Sequence, residues 1–157
     1  MAENGRTAQR SPIAPGDCNL ARTFEAIGDK WCLMILRSVL YGVTRFDDIQ
    51  ADTGVTKSVL SNRLKRLCAA GLLEKKSYRV RGDRARSEYV ASQMTLELIL
   101  PFIALTQWAD RWIDERDVKP VRFLDGRDNS ELSVALVNGV GTVVELENVS
   151  PVFSSKS

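Results

Sequence analysis

The 157-residue sequence contains no histidine, so it lacks both the commonest general base and the commonest metal ligand. Its three cysteines, Cys18, Cys32 and Cys68, are far apart and form no CxxC pair, a spacing that argues against a zinc site and a disulfide framework. It also lacks a glycine-rich phosphate loop and a GxSxG motif. We therefore expect no enzymatic activity, no metal and no cofactor.

Long apolar runs are also missing. No run approaches the roughly 18 residues needed to span a bilayer, and the opening residues MAENGRTAQRSPIAPGD contain no apolar stretch typical of a signal peptide. We expect a cytoplasmic protein without membrane contact. The hydrophobic content of 44% and the charged content of 27% are ordinary for a globular chain of this length, one domain with an appendage.

The net charge is only +2, but its distribution along the chain is uneven. Residues 57–86, the basic segment, contain ten basic and two acidic residues and carry +8. The rest of the chain contains twelve basic and eighteen acidic residues and carries −6. A mildly acidic body with one basic segment indicates a surface that binds a polyanion.

The basic segment begins at the stretch TKSVLSNRLKRL, which predicts a helix over about 56–70 with Thr56 as its N-cap. A short helix over about 46–53 and a turn at Gly54 precede it. At 100° per residue one face of the predicted helix is apolar and the opposite face is polar. The apolar face carries Leu60, Leu64, Leu67 and Cys68, and the polar face carries Ser58, Ser61, Asn62 and Lys65. This pattern predicts a helix-turn-helix.

A predicted β-hairpin follows directly. Residues 72–78 (LLEKKSY) and 87–91 favour two strands, and RVRGDRAR between them predicts a basic turn. A hairpin with a basic tip directly after a helix-turn-helix predicts a wing.

The remaining pattern completes an α+β, mainly α, architecture. We expect a disordered tail over 1–16, a winged helix-turn-helix domain over 17–117 and a small β-rich extension over 118–157. Asp17 is the predicted cap of a first helix that Gly28 ends, and a second helix runs over about 30–41. A long helix over about 94–116 has Pro101 either at a kink or in its first turns. The extension has strand-like segments at Val121–Leu124, Leu132–Val137 and Thr142–Leu146.

From about Cys18 to Ile113 the chain resembles the HxlR-type (MarR-like) bacterial transcriptional regulators. The resemblance rests on ARTFEAIGDKWCLMILRSVLYG, on RFDDIQADTGVTKSVLSNRLKRLCAAGLLEKKSY, and on SEYVASQ leading into the helix with Pro101 and Trp108. It implies a homodimer whose partner is double-stranded DNA, bound at inverted-repeat operators. Several members sense electrophiles, quinones or oxidants through a cysteine at the start of the first helix, a position held by Cys18.

Two surfaces are candidate sites, and the first is the polar face of the predicted helix over 56–70 together with the wing. Asn can read adenine, Lys or Arg can read guanine, and wing arginines can contact phosphates or the minor groove. The alternatives are a solvated helix face, arginines that serve solubility, and a winged-helix protein–protein module that never touches DNA. The candidate DNA-binding residues are Thr56, Lys57, Ser58, Ser61, Asn62, Arg63, Lys65, Arg66, Arg79, Arg81, Arg84 and Arg86.

The second candidate surface is a dimer interface, with core packing as the alternative. Its residues on the long helix are Leu105, Trp108 and Trp112, which belong to a broad apolar stripe. The resemblance implies that the first helix, with Leu20 and Phe24, belongs to the same interface. Cys18 is either a redox sensor or a packed structural residue, because the helix N-terminus favours its thiolate and Asp17 disfavours it. Cys32, Cys68 and Trp31 are predicted core residues.

The predicted function is sequence-specific regulation of transcription. Repression is favoured over activation, since a dimer on a promoter blocks polymerase without further contacts. The signal is either oxidation or alkylation of Cys18, or an aromatic, quinone-like ligand near the tryptophans.

Overall fold

The structure, a computed structural model, describes residues 13–78 and 86–152. Helices α1 (Asn19–Ile27), α2 (Lys30–Leu40), α3 (Phe46–Thr53) and α4 (Lys57–Ala69) come first. The antiparallel strands β1 (Leu73–Tyr78) and β2 (Arg86–Ala91) follow, and then helices α5 (Gln93–Leu96) and α6 (Ile99–Trp112). No helix within this part of the chain is long and apolar enough to cross a membrane.

The first helix begins one residue later than predicted. Cys18, not Asp17, is its N-cap, and the Cys18 side chain makes no capping hydrogen bond. Asp17 instead ends the 3-10 turn Pro15–Asp17, in which its backbone N–H donates to the carbonyl of Ala14 at 2.9 Å. That turn carries the chain into α1, so the prediction of Asp17 as cap was wrong. Most of the predicted disordered tail, residues 1–12, lies outside the described residues.

The core forms around α2, whose Cys32, Ile35 and Leu36 are fully buried. Helix α4 contributes its three leucines to this core, as the apolar pattern of its sequence predicts. Burial of each such side chain contributes about 1.5–3 kcal/mol, so this packing holds α4 on α2. The core continues through Ile49, Val55, Leu72, Leu73 and Tyr89.

The hairpin is attached to the helices on both sides. Leu73 pairs with Ala91 at its base and Tyr78 with Arg86 at the far end of the described ladder. A bridge between Arg45 and Glu88, with a 2.7 Å hydrogen bond from the Tyr89 amide to the Thr44 carbonyl, adds residues 44–45 to the sheet edge. The hairpin therefore starts at α4 and lies against the start of α3, as a wing does.

The predicted long helix over 94–116 is two helices. The Leu98 amide donates to the carbonyl of Thr95 at 3.0 Å, a tighter turn that ends α5 and separates it from α6. Thr95 is buried, and its hydroxyl donates to the Leu72 carbonyl at 2.6 Å, which ties α5 to the start of β1. Pro101 is the third residue of α6, in the first turn, where its missing N–H removes no helical hydrogen bond.

The C-terminal extension, described over residues 118–152, has less β-structure than predicted. In place of the three strand-like segments it has two isolated antiparallel bridges, Leu124 with Glu131 and Val137 with Val143. Its apolar side chains are mostly exposed, because a segment of this length cannot enclose a core of its own.

The extension is fastened to α6 by side-chain contacts. Gln107 of α6 donates to the Leu132 carbonyl at 2.8 Å and accepts from the Val134 amide at 2.9 Å. Lys119 donates to the Asp110 carbonyl at 2.7 Å, which places a cation at the carboxyl end of the helix. The extension therefore packs along α6 as an appendage of the winged domain.

Candidate DNA-binding surface

The turn between α3 and α4 sets the position of α4, the candidate for contact with DNA, which is called the recognition helix below. Gly54 adopts the left-handed conformation at φ 68°, and its N–H donates to the Gln50 carbonyl at 2.9 Å. Val55 is buried, which seats the turn on the core, and Thr56 is the N-cap of α4. The Thr56 hydroxyl lies 3.3 Å from that of Ser58 and makes no capping hydrogen bond to the backbone.

With its leucines buried, the recognition helix presents polar side chains to solvent. Short hydroxyl and amide groups allow a helix to approach base edges, and lysines add positive charge. The predicted DNA-binding residues that are exposed on this helix and at its cap are Thr56, Lys57, Ser58, Ser61, Asn62, Lys65 and Arg66.

Arg63 and Arg66 both have partners within the chain. Arg63 is half-buried, and its Nε donates to Oδ2 of Asp29 at 2.7 Å. Arg66 donates from Nη2 to the backbone carbonyl of Glu25 at 2.6 Å. These contacts join the recognition helix to the corner between α1 and α2.

Asp29 was not predicted as a functional residue, and it uses both carboxylate oxygens. Oδ1 accepts hydrogen bonds from the amides of Trp31 and Cys32, each at 3.1 Å, and so caps α2, while Oδ2 accepts from Arg63. The Arg63 hydrogen bond lowers the pKa of Asp29 below its ordinary value of 3.8, although desolvation opposes this shift. The carboxylate is therefore ionised at neutral pH and can pair with the guanidinium.

Of the predicted wing arginines, Arg79, Arg81 and Arg84 lie outside the described residues. Arg86 begins β2 and is exposed. The cleft between the start of α3 and the hairpin brings it together with Arg45, whose guanidinium lies 5.0 Å from the centre of the Tyr78 ring.

Three exposed cations on or beside the hairpin were missing from the predicted set. They are Arg45, Lys75 and Lys76. The two lysines belong to the basic segment, so their charge was a usable signal. Arg45 had no local signal, because its place beside the wing depends on the bridge to Glu88.

The predicted interface residues are exposed in the single chain. Phe24 of α1 is 52% exposed and Trp112 of α6 is 71% exposed, and Leu20, Leu105 and Trp108 are exposed to a similar degree. No residue of α6 is buried, and α1 buries only Ile27. Core packing therefore does not account for these five apolar side chains.

The cysteines differ in environment. Cys32 is fully buried and Cys68 is half-buried against the core, and burial raises the pKa of both thiols. Both therefore stay protonated at neutral pH and are poor nucleophiles. Cys18 is partly exposed at the start of α1.

Two helices joined by a glycine turn, the second exposed and polar, with a hairpin directly after it, define a winged helix-turn-helix domain. Residues 26–117 match the HxlR-like helix-turn-helix family, and the chain belongs to that family.

A named relative agrees with this assignment, and solved structures share the fold. A protein of Mycobacterium bovis named as an HTH-type transcriptional regulator is 27% identical over 134 residues, which are 85% of this chain and 84% of that protein. The crystal structure of PA1607 has a TM-score of 0.76 at 24% identity and covers 87% of this chain and 95% of its own. The reduced redox regulator HypR, at a TM-score of 0.53 and 19% identity, covers 60% of this chain and 92% of its own. The protein is thus a helix-turn-helix transcriptional regulator and not an enzyme.

Proposed function

We propose that the protein is a homodimeric repressor that binds an inverted-repeat operator through α4 and the wing. The observation that carries this proposal is the exposed polar face of α4, held outward by three buried leucines and flanked by the basic hairpin. Base contacts by Ser58, Ser61, Asn62 and Lys65 would supply sequence choice. The cations of the hairpin would bind phosphates and supply affinity that falls with salt.

The dimer part of the proposal rests on α1 and α6. A 14-residue helix with two tryptophans and no buried residue leaves apolar area in water that a partner surface would cover. Phe24 and Leu20 on α1 supply a second exposed apolar face in the same chain. A two-fold dimer would place two α4 helices in successive major grooves, about 10 bp apart. Such a dimer on a promoter blocks polymerase, which is why repression is the proposed sign.

Two observations support routes by which a signal would act. Cys18 is partly exposed at the start of α1, so oxidation or alkylation there would alter the helix that we assign to the interface. A cleft between α6 and the extension, lined by Trp108, Arg111 and Leu136, has the aromatic and apolar walls that a quinone-like ligand needs. Cys18→Ser separates the two routes, since it abolishes a response to oxidants and leaves a response to a bound ligand.

The experiment for the proposed function is selection of duplexes from a randomised DNA pool by the full-length protein. An inverted repeat with half-sites about 10 bp apart is the expected product. Asn62→Ala should lower affinity for the selected duplex by about 5- to 150-fold, the range for one lost bidentate base contact. Ser133→Ala, an exposed position on the extension, is the control and should change nothing. A pool that yields no preferred sequence would favour a winged-helix protein–protein module.

A further inference from the structure

We propose that Asp29, Arg63 and Arg66 are positioning residues that fasten the recognition helix to the α1–α2 corner and set its orientation on DNA. The contacts of Arg63 and Arg66 with residues 25–29 are called the anchor below. The inference rests on the proposed function, and it gives the two arginines a different role from direct DNA contact.

The recognition helix needs directional contacts in addition to its leucines. Leu60, Leu64 and Leu67 lie on one face and hold the helix on the core, but apolar packing is non-directional and leaves the tilt of the helix weakly defined. Arg63 and Arg66 are one turn apart on the flank of the helix, so their hydrogen bonds restrain two successive turns. Restraint at two points fixes the tilt.

Asp29 makes the first point of the anchor rigid. Its Oδ1 is held by two amides of α2, so the carboxylate cannot rotate freely to follow Arg63. The hydrogen bond from Arg63 Nε at 2.7 Å is charge-assisted and lies at a partly shielded position, where the Arg63 side chain is 27% exposed. The position of Arg63 is thereby tied to the first turn of α2.

The second point of the anchor uses the end of α1. The Glu25 carbonyl lies in the last turn of α1, where carbonyls lack partners within the helix, and a cation is favourable there. Arg66 meets this carbonyl at 2.6 Å, and its Cζ would lie only 3.2 Å from a Cβ at position 28. Gly28 therefore leaves the room in which the Arg66 guanidinium lies.

The anchor joins the DNA-facing helix to the helix that carries Leu20 and Phe24. If these side chains form the dimer interface, the anchor fixes each α4 relative to the two-fold axis. The separation and tilt of the two recognition helices then depend on it, whereas their phosphate contacts do not. Loss of the anchor should reduce sequence discrimination more than general DNA affinity.

Asp29→Asn tests this separation of roles. Asn caps a helix as well as Asp does, so the cap of α2 survives. When the side-chain oxygen of the substituted residue accepts from the α2 amides, its –NH₂ group faces the Arg63 guanidinium. Two hydrogen-bond donors then face each other without an acceptor. Full-length wild-type, Asp29→Asn, Arg63→Gln and doubly substituted proteins are titrated onto the duplex selected by the wild type and onto a random duplex, at two salt concentrations.

Asp52→Asn is the matched control. Asp52 pairs with Arg37 at 2.6 Å between α3 and α2, and the two side chains are 38% and 30% exposed, close to the 40% and 27% of Asp29 and Arg63. Asp52 also accepts a hydrogen bond from the buried Ser38 hydroxyl, much as Asp29 accepts from two amides. Asp52→Asn therefore removes the charge of a carboxylate with comparable partners and exposure, and it does so without touching α4.

The anchor predicts that Asp29→Asn and Arg63→Gln each lower affinity for the selected duplex at least about fivefold, and that the double variant is no weaker than Arg63→Gln. Random-duplex affinity and the salt slope stay at the wild-type values, and Asp52→Asn behaves like the wild type. The inference is overturned if Asp29→Asn keeps or raises affinity for the selected duplex while Arg63→Gln behaves as the loss of a phosphate contact. Such a loss lowers affinity for the selected and the random duplex alike and reduces the salt slope by about one. It is also overturned if Asp52→Asn loses operator affinity equally.

Failure of the proposed function is recognised separately. If the wild type prefers no duplex, DNA recognition fails as the function of this surface, and the anchor is judged by hydrogen exchange of the α4 amides. Faster exchange in Asp29→Asn than in Asp52→Asn supports the anchor, and equal exchange refutes it.

Discussion

Gly28→Ala should destabilise the protein because of both backbone strain and crowding. Gly28 has φ 98° and ψ −123°, a conformation that alanine adopts only with strain of about 1–3 kcal/mol. An added Cβ would also lie 3.0 Å from Sγ of Cys32, which is fully buried, so core side chains would have to shift to admit it. Crowding in a packed core adds about 1–3 kcal/mol, so the loss in the free energy of unfolding should be at least about 2 kcal/mol.

The assay is urea unfolding followed by circular dichroism, together with a thermal scan. For a chain of this size a loss of about 2 kcal/mol lowers Tm by about 4–8 °C. Gly54→Ala measures strain without crowding in the milder left-handed helical region, since Gly54 has φ 68° and ψ 9° with open space around it, and it should therefore cost less. Gly126→Ala, with neither a positive φ nor a neighbour, should stay within about 0.5 kcal/mol of the wild type. If Gly28→Ala is no less stable than Gly54→Ala, the packing described at the α1–α2 corner is wrong.

Three further predictions concern the core, the interface and pH. Leu64→Ala should lower the free energy of unfolding by about 3–5 kcal/mol in urea, while alanine at the exposed Leu146 should have little effect. Trp112→Glu should shift the dimer to monomer in sedimentation velocity at fixed concentration, and Val152→Glu should not; a persisting dimer would exclude α6 from the interface. The hydrogen bond from Arg63 lowers the pKa of Asp29 below 3.8, and those from Ser38 and Arg37 do the same for Asp52. The two carboxylates therefore stabilise the folded protein fully above that value, and this stabilisation is lost as pH falls through their folded-state pKa values. Acid unfolding of Asp29→Asn/Asp52→Asn should therefore depend less steeply on pH than that of the wild type.

Local signals in the sequence predict the helix-turn-helix well. Helix α3 has the predicted bounds Phe46–Thr53, because glycine at position 54 ends it through a left-handed conformation available at little cost. The apolar face of α4 is buried and its polar face exposed, as 3.6-residue periodicity predicts. The DNA-binding role of that face stays a prediction.

Features that depend on distant residues could not be predicted. Asp29 and Arg63 are 34 positions apart, and Glu25 and Arg66 are 41 apart, so no local pattern pairs them. The charge of Arg63 and Arg66 is visible in the sequence, but their partners within the chain are not, and their predicted contact with DNA stays a prediction. The strands predicted over 118–149 were wrong in extent for a related reason. Alternating apolar residues form strands only where a partner edge and a core accept them, and residues 118–152 pair at only two isolated bridges and bury no apolar side chain.

The most direct test of the central claim is titration of the purified full-length protein onto its selected duplex and onto a random-sequence competitor, at two salt concentrations. The account predicts tight binding that resists the competitor, weakens as salt rises, and involves two protomers for each inverted repeat. Binding to both duplexes with equal affinity would contradict sequence-specific recognition by α4, and it would leave the basic segment as a surface for some other polyanion.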